Sequence, residues 1–188
     1  AKKLNGAIIN ADAFQVYREL NIATAKPSEA QRLEVPHFLF DFVPVSSSYS
    51  VYEYQADLRA TIADLQELHK PIIIAGGTGL YIRAGLYDYS FPEEKVVDLS
   101  VYEKMDDDTL HAALQKMDPE EAKTIHPHNR IRVLRAIKVY LSSGKKKSEI
   151  KAEQEHKPIY DDVYFFGLNA ERLPLYERVN QRVEEMFK

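Results

Sequence analysis

The run Ile72-Ile73-Ile74-Ala75, entered through Pro71 and left through Gly76-Gly77-Thr78-Gly79, constrains the fold of this chain more than any other stretch. Consecutive β-branched isoleucines present no polar face, so the run reads as a strand covered on both sides, as strands of parallel sheets are. The glycine-rich turn then opens a helix through Tyr81 and Leu86. An earlier run, Ala7-Ile8-Ile9, has the same character and ends in Asn10-Ala11-Asp12. Between them Ser50 and Glu53 have capping-box spacing, and Val51, Tyr54, Leu58, Ile62, Leu65 and Leu68 follow at helical period. That helix should stop near Lys70-Pro71, because the residue before a proline resists the α region. Strand, helix, strand, helix predicts an α/β fold, a parallel sheet with crossover helices on its faces.

The remaining segments are placed by the same signals. Residues 16–36 are polar and broken by Pro27 and Pro36, a loop with at most a short helix, and His37-Phe38-Leu39-Phe40 begins a short aromatic strand. Residues 91–118 are charged with only short periodic pieces, and read as an insertion into a core formed by 1–90 and 119–188. Asn129 caps a helix running to about Ser143, with Gly144 as its stop. Residues 145–158 read as a solvated connection, with Lys145 to Lys147 explained by the helix dipole. The run 163–168 is predicted as a last strand, and the chain ends in an amphipathic helix.

Composition removes several chemistries. With no cysteine, disulfides, zinc-thiolate sites and thiol nucleophiles are excluded. The net charge of −4 is not the overall basic footprint of a nucleic-acid binder, although a local basic groove can sit on an acidic protein. No apolar run approaches membrane-spanning length and the N-terminus lacks a signal-peptide pattern, so a soluble, cytoplasmic protein is expected. The histidines do not change this: His126 and His128 straddle Pro127 with no acid at ligand spacing, and read as a polar loop. The tyrosines are scattered, and read as core and rim packing.

Three places can carry chemistry. Asp12 follows a strand, and the carboxyl ends of strands are where open α/β sheets bind ligands. On position alone the commoner role is to cap whatever follows, since Asp favours turns and helix starts. The turn 76–79 is either a ligand loop, whose exposed N–H groups favour an anion, or a tight strand-to-helix turn with Thr78 as helix cap. It matches neither the dinucleotide fingerprint nor the Walker A pattern. Arg132 and Arg135 are three apart and share a helix face, while Arg130 points elsewhere. That pair suits a diphosphate or an RNA backbone, or is simply a solvated charged face.

Taken in order, the stretches Asn10–Pro27, Val35–Phe42, Ala75–Leu86 and His126–Lys145 resemble the successive motifs of the tRNA dimethylallyltransferase (tRNA isopentenyltransferase) family, and 173–186 resembles its next helix. The resemblance implies the P-loop nucleotide-kinase type of fold, of nucleotide-binding, ATP-binding character, with a short helical insertion that contacts tRNA. It implies transfer of a dimethylallyl group from dimethylallyl diphosphate to N6 of the adenine 3′ of the anticodon, with Mg²⁺ as cofactor. Asp12 takes the place of the family's general base, and Arg132 that of an arginine that neutralises diphosphate. Ala13, Phe14, Gln15, Thr78 and Arg135 join these two as substrate contacts, and no residue is assigned as a metal ligand. The partners implied are the tRNA anticodon stem-loop and dimethylallyl diphosphate, met by a monomer away from any membrane.

The chain also departs from that pattern. The family's opening strand and its Gly-x-x-x-x-Gly-Lys-Ser/Thr loop are not among these residues, nor is its basic and aromatic C-terminal portion. Residues 91–118 are shorter than its tRNA-binding insert, and His37-Phe38 stands where it often has two histidines. These 188 residues by themselves are therefore expected to be inactive and poorly stable. Rival readings are a small-molecule P-loop kinase, an adenylate isopentenyltransferase acting on a free nucleotide, and a non-catalytic tRNA-binding relative.

Overall fold

The computed structural model describes residues 1–91, 95–154 and 156–187. After a single 3-10 turn the elements are β1 (Ala7–Asn10), α1 (Glu29–Glu34), β2 (His37–Phe38), α2 (Val51–Glu67), β3 (Ile72–Ala75), α3 (Gly79–Leu86), α4 (Ser100–Glu103), α5 (Asp107–Met117), α6 (Pro119–Thr124), α7 (Arg130–Ser143), α8 (Lys147–Glu153) and α9 (Arg172–Met186). They form two compact units, Ala1–Tyr87 with Pro158–Lys188, and Asp88–Lys157.

In the first unit β1 lies between β2 and β3 in a parallel sheet of order β2-β1-β3. Its register pairs Ile9 with Ile74 on one side and Phe38 on the other. Being central, β1 has both edges paired and Ala7, Ile9 and Asn10 fully buried. Helix α2 begins as its spacing predicts, with Ser50 and Glu53 exchanging both capping-box hydrogen bonds. Its buried stripe, Tyr54, Leu58, Ile62 and Leu65, enters the same cluster as Ile9, Tyr81 and Leu86. Each such aliphatic side chain contributes about 1.5–3 kcal/mol by leaving water. Helix α3 comes so close that a Cβ on Gly85 would lie 2.1 Å from Leu58 Cδ2, which is why a glycine stands there.

Strand β2 has only two residues, shorter than its aromatic run suggests, because Leu39 and Asp41 turn the chain away with φ of 60° and 55°. The expected strand at 163–168 does not form. Tyr164, Phe165, Phe166 and Leu168 are exposed, and among the described residues no strand lies beside them to pair with. A strand exists only through its ladder, so β propensity without a neighbour leaves extended chain.

The second unit is wider than the 91–118 segment read as an insertion. Helices α5, α6 and α7 close a core of their own around Leu110, Leu114, Ile125, Val133 and Ile137. Helix α7 has the predicted ends: Asn129 Oδ1 accepts the Arg132 N–H, and Gly144 closes it with φ 72°. The connection read as solvated contains α8, held by charge: Glu121, 3% exposed, pairs with Lys147 at 3.0 Å and Lys151 at 2.6 Å. The dipole of α7 is therefore not the whole account of the lysines there, since Lys147 neutralises a buried carboxylate. No helix among the described residues is long and apolar enough to cross a membrane.

Candidate active site

Asn10 ends β1 with its side chain buried, where an amide must find partners or cost about 1–3 kcal/mol. It finds them in the next turn. Its Nδ2 donates to the carbonyls of Asp12 at 3.0 Å and Leu39 at 2.9 Å, and its Oδ1 accepts the Asp12 N–H at 2.9 Å. One side chain thus holds both backbone polar groups of Asp12. Tyr54 adds a hydrogen bond from its hydroxyl to the Asn10 carbonyl at 2.8 Å.

Asp12 is half-buried, and its carboxylate is divided between two tasks. Oδ1 accepts the N–H of Phe14 at 2.9 Å and of Gln15 at 3.4 Å, the turn-capping role open to any Asp. Among the described residues Oδ2 accepts nothing. The capping reading of Asp12 is thus met by one oxygen, which leaves the other open toward the carboxyl end of the sheet. Ala13 is half-buried and Phe14 is 64% exposed. Gln15 turns its amide inward, Nε2 donating to the Thr24 carbonyl at 2.7 Å.

The turn after β3 meets the turn after β1 at the carboxyl end of the sheet. Thr78 precedes α3 but does not cap it with its side chain. Its Oγ1 instead accepts the Ala13 N–H at 3.0 Å, and its own N–H donates to the Ala11 carbonyl at 3.0 Å. The glycines of this turn differ in their reasons. A Cβ on Gly76 would lie 2.2 Å from the Ala11 carbonyl carbon, so strand packing alone demands glycine there. Around Gly77 and Gly79 a Cβ would meet nothing within 4 Å. Nothing in the fold asks for glycine at these two positions, and the open space beside them admits a ligand.

Under this rim Tyr81 stacks on Tyr54, ring centroids 3.8 Å apart. Burial pushes the Tyr81 hydroxyl up to about 12, and the charges of Tyr17, Asp12 and Glu53 push the same way. It therefore stays a neutral phenol at physiological pH. Asn10, Tyr54 and Tyr81 are support that the sequence reading passed over. An amide at the end of an otherwise apolar buried strand was the available signal, since it must be satisfied from elsewhere.

Arg132 and Arg135 lie in the second unit, exposed on α7. Among the described residues the Arg132 guanidinium makes no hydrogen bond or ion pair. Arg130 does differ from them as expected, reaching Asp107 Oδ1 at 3.1 Å and the Glu103 carbonyl at 2.6 Å to tie α7 to α4 and α5.

The fold thus brings a carboxylate and a glycine-rich turn together at the carboxyl end of a parallel α/β sheet, the place where such sheets bind ligands. The chain belongs to the IPP transferase family, whose model matches residues 15–188, beginning three residues after Asp12. It is 43% identical to the tRNA dimethylallyltransferase of Anoxybacillus flavithermus, covering all of this chain and 60% of the relative. It is 40% identical to that of Bacillus subtilis, covering 62% of it. Over its whole length it superposes on 48% of a eukaryotic dimethylallyltransferase solved acting on tRNA, with TM-score 0.85 and 31% identity. A tRNA isopentenylpyrophosphate transferase of Staphylococcus epidermidis gives TM-score 0.61 and 39% identity over 62% of its chain. The chain thus spans about 60% of the length of the curated relatives it matches.

Proposed function

We propose that the protein transfers a dimethylallyl group from dimethylallyl diphosphate to N6 of the adenine 3′ of the anticodon of tRNA, working as a monomer in the cytoplasm. The observation that carries this is Asp12: a carboxylate pinned at the end of β1 with one oxygen holding its own turn and the other unpartnered among the described residues. An exocyclic adenine amine is a poor nucleophile, because its lone pair is delocalised into the ring. As N6 forms its bond to C1 of the dimethylallyl group, the C1–O bond breaks and diphosphate leaves with the electron pair. Asp12 Oδ2 accepts the N6 proton, a contribution of about 10²–10⁴-fold for a positioned base. The adenine must leave its stack to reach a side chain at a sheet edge, so base flipping belongs to this reading. Phe14, the exposed aromatic beside the base, and Ala13 and Gln15 line its approach.

The open space at Gly77 and Gly79 supports diphosphate entry there; Arg132 and Arg135 on α7 keep, from the family resemblance alone, the role of neutralising a diphosphate. Magnesium, which this chemistry implies, is held in such sites by one or two carboxylates, water and substrate phosphates. Among the described residues no three His, Cys, Asp or Glu side chains converge to form a cage, and no step here is routed through the ion.

The test is single-turnover transfer of labelled dimethylallyl to an unmodified anticodon stem-loop, with adenosine monophosphate as the competing acceptor. Label on the stem-loop adenine supports the reading. Label on the free nucleotide alone would make the protein an adenylate isopentenyltransferase. Stem-loop binding without label would leave a tRNA-binding relative.

A further inference from the structure

Lys26 lies between β1 and α1 with a side chain 5% exposed, a depth at which an ammonium must be fully partnered. Its Nζ donates to the Tyr17 carbonyl and to Asn21 Oδ1, the latter at 2.8 Å, and pairs with Asp41. The other oxygen of Asp41 takes Arg32 at 2.7 Å, and the Asp41 N–H donates to the Gln15 carbonyl at 3.1 Å. Gln15 in turn reaches the Thr24 carbonyl, two residues before Lys26. The contacts close a ring through Gln15, Asp41, Lys26 and Thr24, with the turn of Asp12 on its rim.

Strained backbone lies in this ring and beside it. Ala25, Leu39 and Asp41 have φ of 51°, 60° and 55°, values that side-chain-bearing residues rarely adopt. Such strain persists where surrounding contacts over-determine it, and it gathers at functional sites. Leu39 connects the ring to the base, because its carbonyl accepts from the Asn10 side chain that also holds Asp12. Burying a lysine is a poor way to add stability, since desolvation offsets most of the attraction. What the ring does achieve is one geometry for the 12–18 turn.

We propose that Lys26 is a positioning residue for the transfer reaction: with Asp41 it locks the turn that presents the Asp12 carboxylate. The proposal rests on the reading of Asp12 as the base. Removing the lock displaces the carboxylate, and a misplacement of about 1 Å commonly costs about 10²-fold in rate.

The experiment compares Lys26→Met, Asp41→Asn and their combination in the natural full-length protein. Three quantities are measured: amide hydrogen exchange, stem-loop affinity and single-turnover transfer. Lys26→Met should speed exchange of residues 13–18 about tenfold while α2 keeps its protection. Transfer should fall about 100-fold with stem-loop Kd changed by less than about threefold, a loss confined to the transition state. The double variant should be no slower than the slower single one, because the two residues act as a unit. An unchanged transfer rate in Lys26→Met would overturn the proposal. So would exchange rising equally across α2, which would make Lys26 a support of the whole unit. Should Lys26→Met fail to fold, Asp41→Asn, which keeps side-chain size and the backbone bond to Gln15, decides by the same measurements. If the unsubstituted protein transfers nothing, the proposed function falls, while the exchange comparison still decides whether Lys26 orders the Asp12 turn.

Discussion

Thr78 and Ala13 are joined by a 3.0 Å hydrogen bond from the Ala13 N–H to the Thr78 hydroxyl, and Thr78 returns a 3.0 Å bond from its own N–H to the Ala11 carbonyl. The turns after β1 and β3 are far apart in sequence, and this pair of bonds makes them one rim. Thr78→Val keeps the side-chain shape and leaves the Ala13 N–H unpaired, at a cost of about 1–3 kcal/mol. Thr78→Ser keeps the acceptor and should restore most of that loss. Urea denaturation of the two variants checks the difference; equal midpoints would show that the hydroxyl does not join the turns.

Asp12→Asn separates the two oxygens of that carboxylate. An amide oxygen can still accept from Phe14 and Gln15, so the turn survives, while the base is lost. Single-turnover transfer should drop about 10²–10⁴-fold. Stem-loop affinity should be nearly unchanged, since the proton is taken in the transition state. A normal transfer rate in this variant would remove Asp12 from the role of base.

Gly76→Ala and Gly77→Ala differ by one position and should differ sharply in outcome. The first sets a Cβ 2.2 Å from the Ala11 backbone and should destabilise by about 1–3 kcal/mol through overpacking. The second meets nothing within 4 Å and should leave stability within about 0.5 kcal/mol. A weaker affinity for dimethylallyl diphosphate in Gly77→Ala, measured by calorimetry, would mark the side from which the ligand approaches. Unchanged affinity would place the diphosphate elsewhere.

The second unit should loosen in acid. Burial works to raise the carboxyls of Glu121 and Asp118, but hydrogen bonds outweigh it and hold both below the ordinary carboxylate range. For Glu121 these come from Lys151 and Lys147, and for Asp118 chiefly from Ser148. Their stabilisation is therefore complete above the unfolded values of 4.5 and 3.8 and is lost as pH falls through the lower folded ones. Hydrogen-exchange protection of α6 and α8 should be flat from about pH 7 to 5 and decline below, with Glu121→Gln reducing the slope. Protection independent of pH down to about 3 would contradict the assignment.

The elements readable from the amino-acid order are those decided within a dozen neighbouring residues. The β1 and β3 runs, the capping box of Ser50 and Glu53, and α7 between Asn129 and Gly144 all appear as expected, because period and caps are local. Residues 163–168 have strand propensity without strand structure, because pairing needs a neighbour that no local pattern reports. Helices α5, α6 and α8 are not legible as separate elements, because each is short and heavily charged, and α5 and α6 bury their apolar positions only against each other and α7. Asp12 and Thr78 were legible as candidates, each with a bland alternative that sequence could not dismiss. Only the folded chain showed that Thr78 bonds to Ala13 rather than capping its helix, and that Asp12 caps with one oxygen alone. Lys26 and Asn10 lie inside a motif-like stretch yet drew no role of their own, since what distinguishes them is burial. A sequence lists the polar groups of a chain, but which of them are taken out of water, and must then find partners from distant segments, is settled by packing.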